Sequence, residues 1–316
     1  MKKVVIALGG NAIQKANQPA TAEAQQMVCR QTAEQLLEFF KAGYEVVVTH
    51  GNGPQVGNIF LQQEKAASEK TPAMPLDTCG AMSQGMIGYW LQQAIDKALL
   101  DAGISKRAAK IITQTVVDPK DPAFENPTKP IGPFYTEEEA REIMKEKGYI
   151  FKEDSGRGWR RVVPSPRPVD IIEKDIIDDM VNAGHIVICA GGGGIPVIRR
   201  EDGSFEGIEA VIDKDLGASK LAAEIDADIL LILTAVEKVS INFRKPNQSD
   251  LDEVTTDQLK QYIQEGHFAP GSMLPKVEAA IEFAESKPGR ISIITSLEKG
   301  FEAVQGKAGT RISARS

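Results

Sequence analysis

Cysteine is scarce: Cys29, Cys79 and Cys189 are an odd, widely spaced set with no CxxC pair. That excludes a disulfide framework or clustered zinc site and leaves reduced thiols, with Cys189 expected in the core. Long apolar runs are also missing. The longest, around "ADILLILTAV" and "HIVICAGG", are strand-sized, against the ~20 residues a membrane-spanning helix needs. The opening "MKKVVIALGGNA" meets Gly9 and Gly10 before reaching the roughly 7 to 15 apolar residues of a signal-peptide core. It is expected to be a first strand, in a soluble, cytoplasmic protein. No long basic block accompanies the 44 acidic and 37 basic residues, and the net charge is -7. Nucleic acid and anionic membrane are therefore disfavoured as partners, and a small substrate fits better. Internal repeats and low-complexity linkers are absent too. So are GxxxxGK[ST], a GxGxxG after the first strand, and the HRD, DFG and APE set of protein kinases.

What is present is alternation. With 316 residues, 42 % of them hydrophobic, the chain can bury one large core or two modest ones. Short β-branched runs alternate with longer amphipathic stretches, the pattern of a parallel sheet covered by helices. "KVVIAL" predicts a strand, Thr21 to Gly43 a helix closed by glycine, "YEVVVTH" a second strand, and Pro54 a helix start. A helix over 80–103 then leads to one strand, "AAKIITQTVV".

Between Val117 and Pro168 prolines cluster, Thr136 and Glu139 frame a capping box, and "GYIFKEDSGRGWRRVVP" reads as a hairpin. This is an insertion, in which Trp159 beside Arg160 and Arg161 is expected to pack and the acidic helix to be solvated. Alternation resumes with a helix over 170–184, a strand from His185, a helix from Lys214 and the strand "DILLILTAV". Helices near 256–266 and 273–286, the strand "RISIIT" and a short helix after Ser296 complete it. The expected fold is α/β: a three-layer αβα sandwich with an open, mainly parallel sheet and a small protruding α+β subdomain over 118–167. One domain spans 1–316, with lobes over 1–222 and 223–316.

Three glycine-rich segments follow predicted strands: Gly9-Gly10-Asn11, Gly51-Asn52-Gly53 and Gly191 to Gly194. In a parallel sheet such turns share the carboxyl edge, where ligands bind. Each can offer backbone N–H groups, and a helix starting next favours an anion. Any one alone could be only a tight turn. None carries a lysine, so phosphate-neutralising charge must come from other loops. Lys129 in "NPTKPIG", Lys214 in "VIDKDLGASK" and Lys276 in "GSMLPKVEAA" are the candidates. Lys214 lies between Asp213 and Asp215, where a carboxylate could orient ammonium groups, and prolines restrict Lys129. No general base stands out: His185 starts a strand, His267 sits in a loop, and His50 ends a strand, where a structural hydrogen bond suits it. An acceptor that is already anionic would need no base. No clustered carboxylates announce a metal site, so metal ligands stay unassigned.

With "VVIALGGNA", "HGNGPQVG", "NPTKPIGPFY", "VVPSPRP", "GGGGIPV", "VIDKDLGASKLA", "LTAVEKV" and "GSMLPKVEAA" in order, the chain resembles the carbamate kinases of the amino acid kinase family. The likeness covers essentially the whole chain, and "NPTKPIGPFY" separates it from acetylglutamate, glutamate, aspartate and uridylate kinases. The resemblance implies phosphoryl transfer between carbamoyl phosphate and ADP/ATP with Mg2+, by a homodimer. It implies Gly9, Gly10, Asn11, Gly51, Asn52 and Gly53 as substrate-binding, and Lys129, Lys214, Asp215 and Lys276 as catalytic. Thr234, Ala235, Val236, Val239, Gly271, Ser272, Met273 and Lys276 would bind the nucleotide. The first lobe would take carbamoyl phosphate and the second the nucleotide. The alternatives are another family member such as acetylglutamate kinase, or a nonenzymatic nucleotide or anion sensor. The chain stops soon after "GTRISARS", which disfavours the aspartate and glutamate kinases that carry a regulatory domain.

Overall fold

A computed structural model describes residues 2–15, 18–154 and 156–314. An eight-stranded sheet runs through it in the order Glu253–Thr255, Thr310–Ser313, Ile291–Ser296, Ile229–Thr234, Lys3–Leu8, Glu45–His50, Ile186–Ile188, Ala108–Lys110. Every neighbouring pair is parallel except Ile291–Ser296 with Thr310–Ser313. The central strand shows why. All six residues of "KVVIAL" are buried, because helices cover both faces of a parallel sheet and both sets of alternating side chains meet apolar partners. Val5 and Ala7 join one core with Val187, Leu221 and Phe283. Val4, Ile6 and Leu8 join another with Leu36, Phe39 and Leu91. Each of these side chains larger than alanine contributes at most about 1.5–3 kcal/mol on burial.

Helices Ala22–Lys41 and Leu76–Asp101 pack on each other, and both feed the second of these cores. Helices Lys214–Glu224 and Met273–Glu285 feed the first. A separate three-stranded antiparallel sheet, Lys129–Tyr135, Trp159–Val163 and Ile150–Glu153, carries helix Glu137–Lys147. The expected capping box is formed: Thr136 accepts from the Glu139 N–H, and the Glu139 carboxylate accepts from the Thr136 N–H. The expected hairpin is the pairing of Ile150–Glu153 with Trp159–Val163; Ser155 lies outside the described residues. No described helix is long and apolar enough to cross a membrane.

Several expectations are corrected. "AAKIITQTVV" is two strands: Ala108–Lys110 ends the large sheet, whereas Gln114–Val117 enters a four-stranded sheet with Ile195–Arg199, Phe205–Gly207 and Pro168–Ile171. The break is held from outside. Gln84 brackets Thr113, accepting from its N–H and donating to its carbonyl at 3.0 Å each, while the Thr113 hydroxyl accepts from the Ala190 N–H. The helix expected from Asp170 starts at Lys174, because Pro168–Ile171 pairs with Gln114–Val117. The strand from His185 ends at Ile188, after which Gly191–Gly193 form a short 3-10 turn.

Candidate active site

Four parallel strands end together, and the segments after them converge: Gly9–Asn11 after Leu8, Gly51–Gly53 after His50, Gly191–Gly194 beyond Ile188, and Ala235 after Thr234. The third is glycine for a steric reason. Gly192 has φ +63°, and a Cβ on it would lie 2.3–2.4 Å from the Asn52 side-chain amide. Any other residue would displace Asn52, whose Nδ2 donates to the Ser83 hydroxyl at 2.9 Å.

Three α-helices begin at this edge, at Gly53, Lys214 and Met273. Asn52 and Ser272 are of capping type, yet neither side chain caps its helix. The N–H groups of Gly53 and Gln55 are left for another acceptor, and the helix dipole favours one that is anionic, whereas in the helix from Met273 Leu274 donates to the Ala269 carbonyl at 3.2 Å and Pro275 has no N–H. The helix from Lys214 is capped internally. Asp213 accepts the N–H groups of Asp215 and Leu216 on one carboxylate oxygen, and the Lys129 ammonium lies 2.6 Å from the other.

Asp215 organises the lysines. One carboxylate oxygen accepts from Lys214 and the other from Lys276 at 2.8 Å, with only 2 % of the residue exposed. Burial alone would raise its pKa, but Lys214 and Lys276 outweigh it and hold Asp215 below the usual carboxylate range. Asp213 is likewise held low against its burial, chiefly by Lys129. Burial pushes the Lys214 ammonium down to about 8, opposed by Asp215 and aided by repulsion from Lys276. For Lys276 burial also lowers, but attraction to Asp215 prevails and the net shift is upward.

A cavity of about 430 Å3 brings together Gly10, Asn11, Gly51, Asn52, Gly53, Lys129, Lys214, Asp215, Gly271, Ser272 and Lys276. An adjoining one of about 190 Å3 is lined by Gly9, Thr234 and Ala235, and shares Gly10, Asn11, Lys214 and Lys276. Val236, Val239 and Met273 line neither: Val239 is fully buried and Met273 packs against the first core. His50 is enclosed. Its ring bonds the Gly51 carbonyl at 2.9 Å, and burial, then the Lys110 charge, push its pKa down to about 3, so it is neutral at pH 7.

Sequence reasoning did not place Phe134, Arg157 and Arg160 in this cavity. They come from the protruding subdomain, and nothing local in "SGRGWRR" announces which way that segment faces. The missed counter-ion of Lys129 did have a signal, since Asp213 stands where an N-cap aspartate belongs. No group of three His, Cys, Asp or Glu able to hold a metal occurs among the described residues.

Residues 2–295 match the Amino acid kinase family. Carbamate kinase 1 of Enterococcus faecium is 58 % identical over 297 residues, 94 % of each chain. Carbamate kinase 2 of Staphylococcus aureus (strain MRSA252) is 54 % identical over 312 residues, covering 98 % of this chain and 99 % of that one. The structure of carbamate kinase from Giardia lamblia bound to AMP-PNP superposes with a TM-score of 0.91 at 48 % identity, covering 99 % of both chains. These similarities and the lysine-lined cavity at the sheet edge agree: the chain belongs to the amino acid kinase family, and within it to the carbamate kinases.

Proposed function

We propose that this cavity moves the phosphoryl group of carbamoyl phosphate onto ADP, with Lys214 and Lys276 as the groups that stabilise it in flight. The P–O bond to carbamate breaks as a bond forms to a β-phosphate oxygen of ADP. The carbamate released decays to ammonia and carbon dioxide. The observation that carries this reading is the Asp215 carboxylate, which fixes both ammonium groups between the glycine turns. A loose transition state spreads charge over three equatorial oxygens, and preorganised cations aimed at them cost no reorganisation during reaction. Both nucleophile and leaving group are anions, which suits a site whose nearest histidine is buried and neutral.

Gly9, Gly10, Asn11, Asn52 and Gly53 cradle the carbamoyl phosphate through backbone N–H groups, while Gly51, whose N–H donates to the Leu8 carbonyl at 3.2 Å, serves by letting the chain approach closely, so their turns need no lysine of their own. Thr234, Ala235, Gly271 and Ser272 face the nucleotide, with Val236, Val239 and Met273 shaping those turns from behind. Mg2+ fits as an ion held by nucleotide phosphates and water, because the carboxylates of Asp213 and Asp215 are already engaged. It would supply further neutralisation of phosphate charge. The first test is ATP formation from ADP and carbamoyl phosphate with Mg2+, run beside acetyl phosphate. Turnover selective for carbamoyl phosphate supports the reading; no turnover by folded, ADP-binding protein refutes it.

Lys129 begins a strand of the protruding subdomain and closes over the carbamoyl end. Lys129→Ala should raise the KM for carbamoyl phosphate about 10- to 100-fold, the worth of one charge-assisted hydrogen bond. The KM for ADP should stay within about twofold on the same reasoning. Equal losses for both substrates would remove this division of labour.

The homodimer forms along the free edge of the large sheet at Ala108–Lys110. Around that edge Tyr89, Ile112, Val169 and Ile176 are 54 %, 43 %, 50 % and 57 % exposed, more apolar side chain than a sheet edge normally offers to water. Tyr89→Asp should shift sedimentation from dimer to monomer at micromolar protein; an unchanged dimer would place the interface elsewhere. Cytoplasmic residence fits three free, buried thiols.

A further inference from the structure

A third cavity, about 550 Å3, lies between helix Gly53–Ala66 and the protruding subdomain. It shares no lining residue with the two phosphoryl-site cavities. Its walls include the rings of Phe60, Tyr135, Tyr149 and Phe151. The guanidinium of Arg161 stacks 3.6 Å from the Tyr149 ring centroid and 4.5 Å from that of Phe60. No carboxylate or carbonyl among the described residues accepts a hydrogen bond from that guanidinium, and no ion pair neutralises it. Of the two carboxylates on its walls, Glu64 is committed elsewhere, one oxygen taking the Tyr149 hydroxyl and the other facing Lys147 at 3.4 Å, and Glu146 makes no ion pair with Arg161.

We propose that this cavity is a second ligand site, for a small carboxylate with a flat apolar body. A guanidinium with unused in-plane donors matches a carboxylate fork. Its volume lies within the roughly 300–1,000 Å3 of small-molecule pockets. Aromatic walls disfavour a fully hydrated dianion such as phosphate and suit a planar body.

The position gives such a ligand leverage. The floor is a backbone contact without side chains: a Cβ on Gly57 would lie 1.9 Å from the Gly132 nitrogen, and Gly132 has φ +72°. Gly57 belongs to the helix that Gly53 begins, and Gly132 to the strand that Lys129 begins. A ligand spanning both walls stabilises the arrangement seen here, with Lys129 docked on Asp213. Occupancy therefore lowers the KM for carbamoyl phosphate and leaves that for ADP unchanged, a consequence that rests on Lys129 serving the carbamoyl end.

The probe is 2-naphthoate, titrated calorimetrically into the full chain, with 2-naphthalenemethanol as neutral counterpart and inorganic phosphate as bare anion. Saturable binding is expected below about 1 mM, at least about tenfold tighter than either control. It should weaken by a similar factor in Arg161→Gln and in Leu61→Trp, the latter filling the cavity from its helical wall without touching the hairpin. Lys214→Ala should bind it as the parent does. Failure to saturate, equal affinity for the alcohol, indifference to both cavity variants, or loss in Lys214→Ala would each overturn the site. Binding with no change in the KM for carbamoyl phosphate would overturn its coupling to Lys129 alone.

Discussion

Replacing Lys214 by alanine is expected to cut turnover by roughly 100-fold to 1000-fold, the cost of deleting one preorganised donor to transition-state charge. The loss should fall mainly on kcat, since charge migrating between two anions is neutralised most where the phosphoryl group is in transit. Lys214 also sets a pH dependence. Its ammonium is pushed down to about 8 by burial, with Asp215 resisting and Lys276 adding to the fall. In the role proposed for it the protonated form stabilises phosphoryl oxygens, so activity should be present below that pKa and lost as pH rises through it. The effect belongs to the free enzyme and should appear as an alkaline limb near pH 8 in kcat/KM. Residual activity of Lys214→Ala should be flat over the same range. If the limb persists in the variant, or turnover is unchanged, the lysine is not the phosphoryl-handling group.

Much of this site was legible because its parts are local. Glycine turns after β-branched runs, and lysines beside helix starts, can be read within ten residues. The parallel sheet makes their convergence a consequence of topology rather than of sequence proximity. What could not be read depends on partners distant in the chain. Nothing inside "AAKIITQTVV" shows that Gln84 will clamp Thr113 and send the two halves into different sheets. The strand Thr310–Ser313 escaped because it is short and pairs antiparallel to Ile291–Ser296 across a helix and turn. Hairpin Val239–Ile241 with Ser249–Leu251 escaped because three-residue strands carry too little alternation. Arg157 and Arg160 carry no assigned role in the sequence, since only Trp159 beside Arg160 is expected to pack the insertion. Their entry into the cavity follows from how the subdomain sits on helix Gly53–Ala66, which is a tertiary contact.

Asp215→Asn should be the variant that harms both folding and chemistry. The amide preserves shape but leaves Lys214 and Lys276 facing each other with no negative charge between them. Removing one partner of a buried ion pair costs about 3–5 kcal/mol, because the remaining charge stays desolvated. In a chain of this size that corresponds to a fall in melting temperature of about 5–8 °C. The pH dependence has a definite sign. Asp215 titrates below its unfolded value despite its burial, because of Lys214 and Lys276. Its contribution is therefore present above the unfolded carboxylate pKa of about 3.9 and lost as pH falls through the folded one. The stability gap between parent and variant should be widest near neutral pH and narrow in acid. A gap of constant size would mean that lost packing, not lost charge, is responsible. Turnover should fall along with stability, since two unrestrained ammonium groups no longer wait where the phosphoryl group passes. An anion can partly replace the missing carboxylate: millimolar inorganic phosphate should raise the variant's melting temperature more than the parent's. Equal stabilisation of both would mean that the lysines do not share one anion site, and the bridging role given to Asp215 would have to be withdrawn.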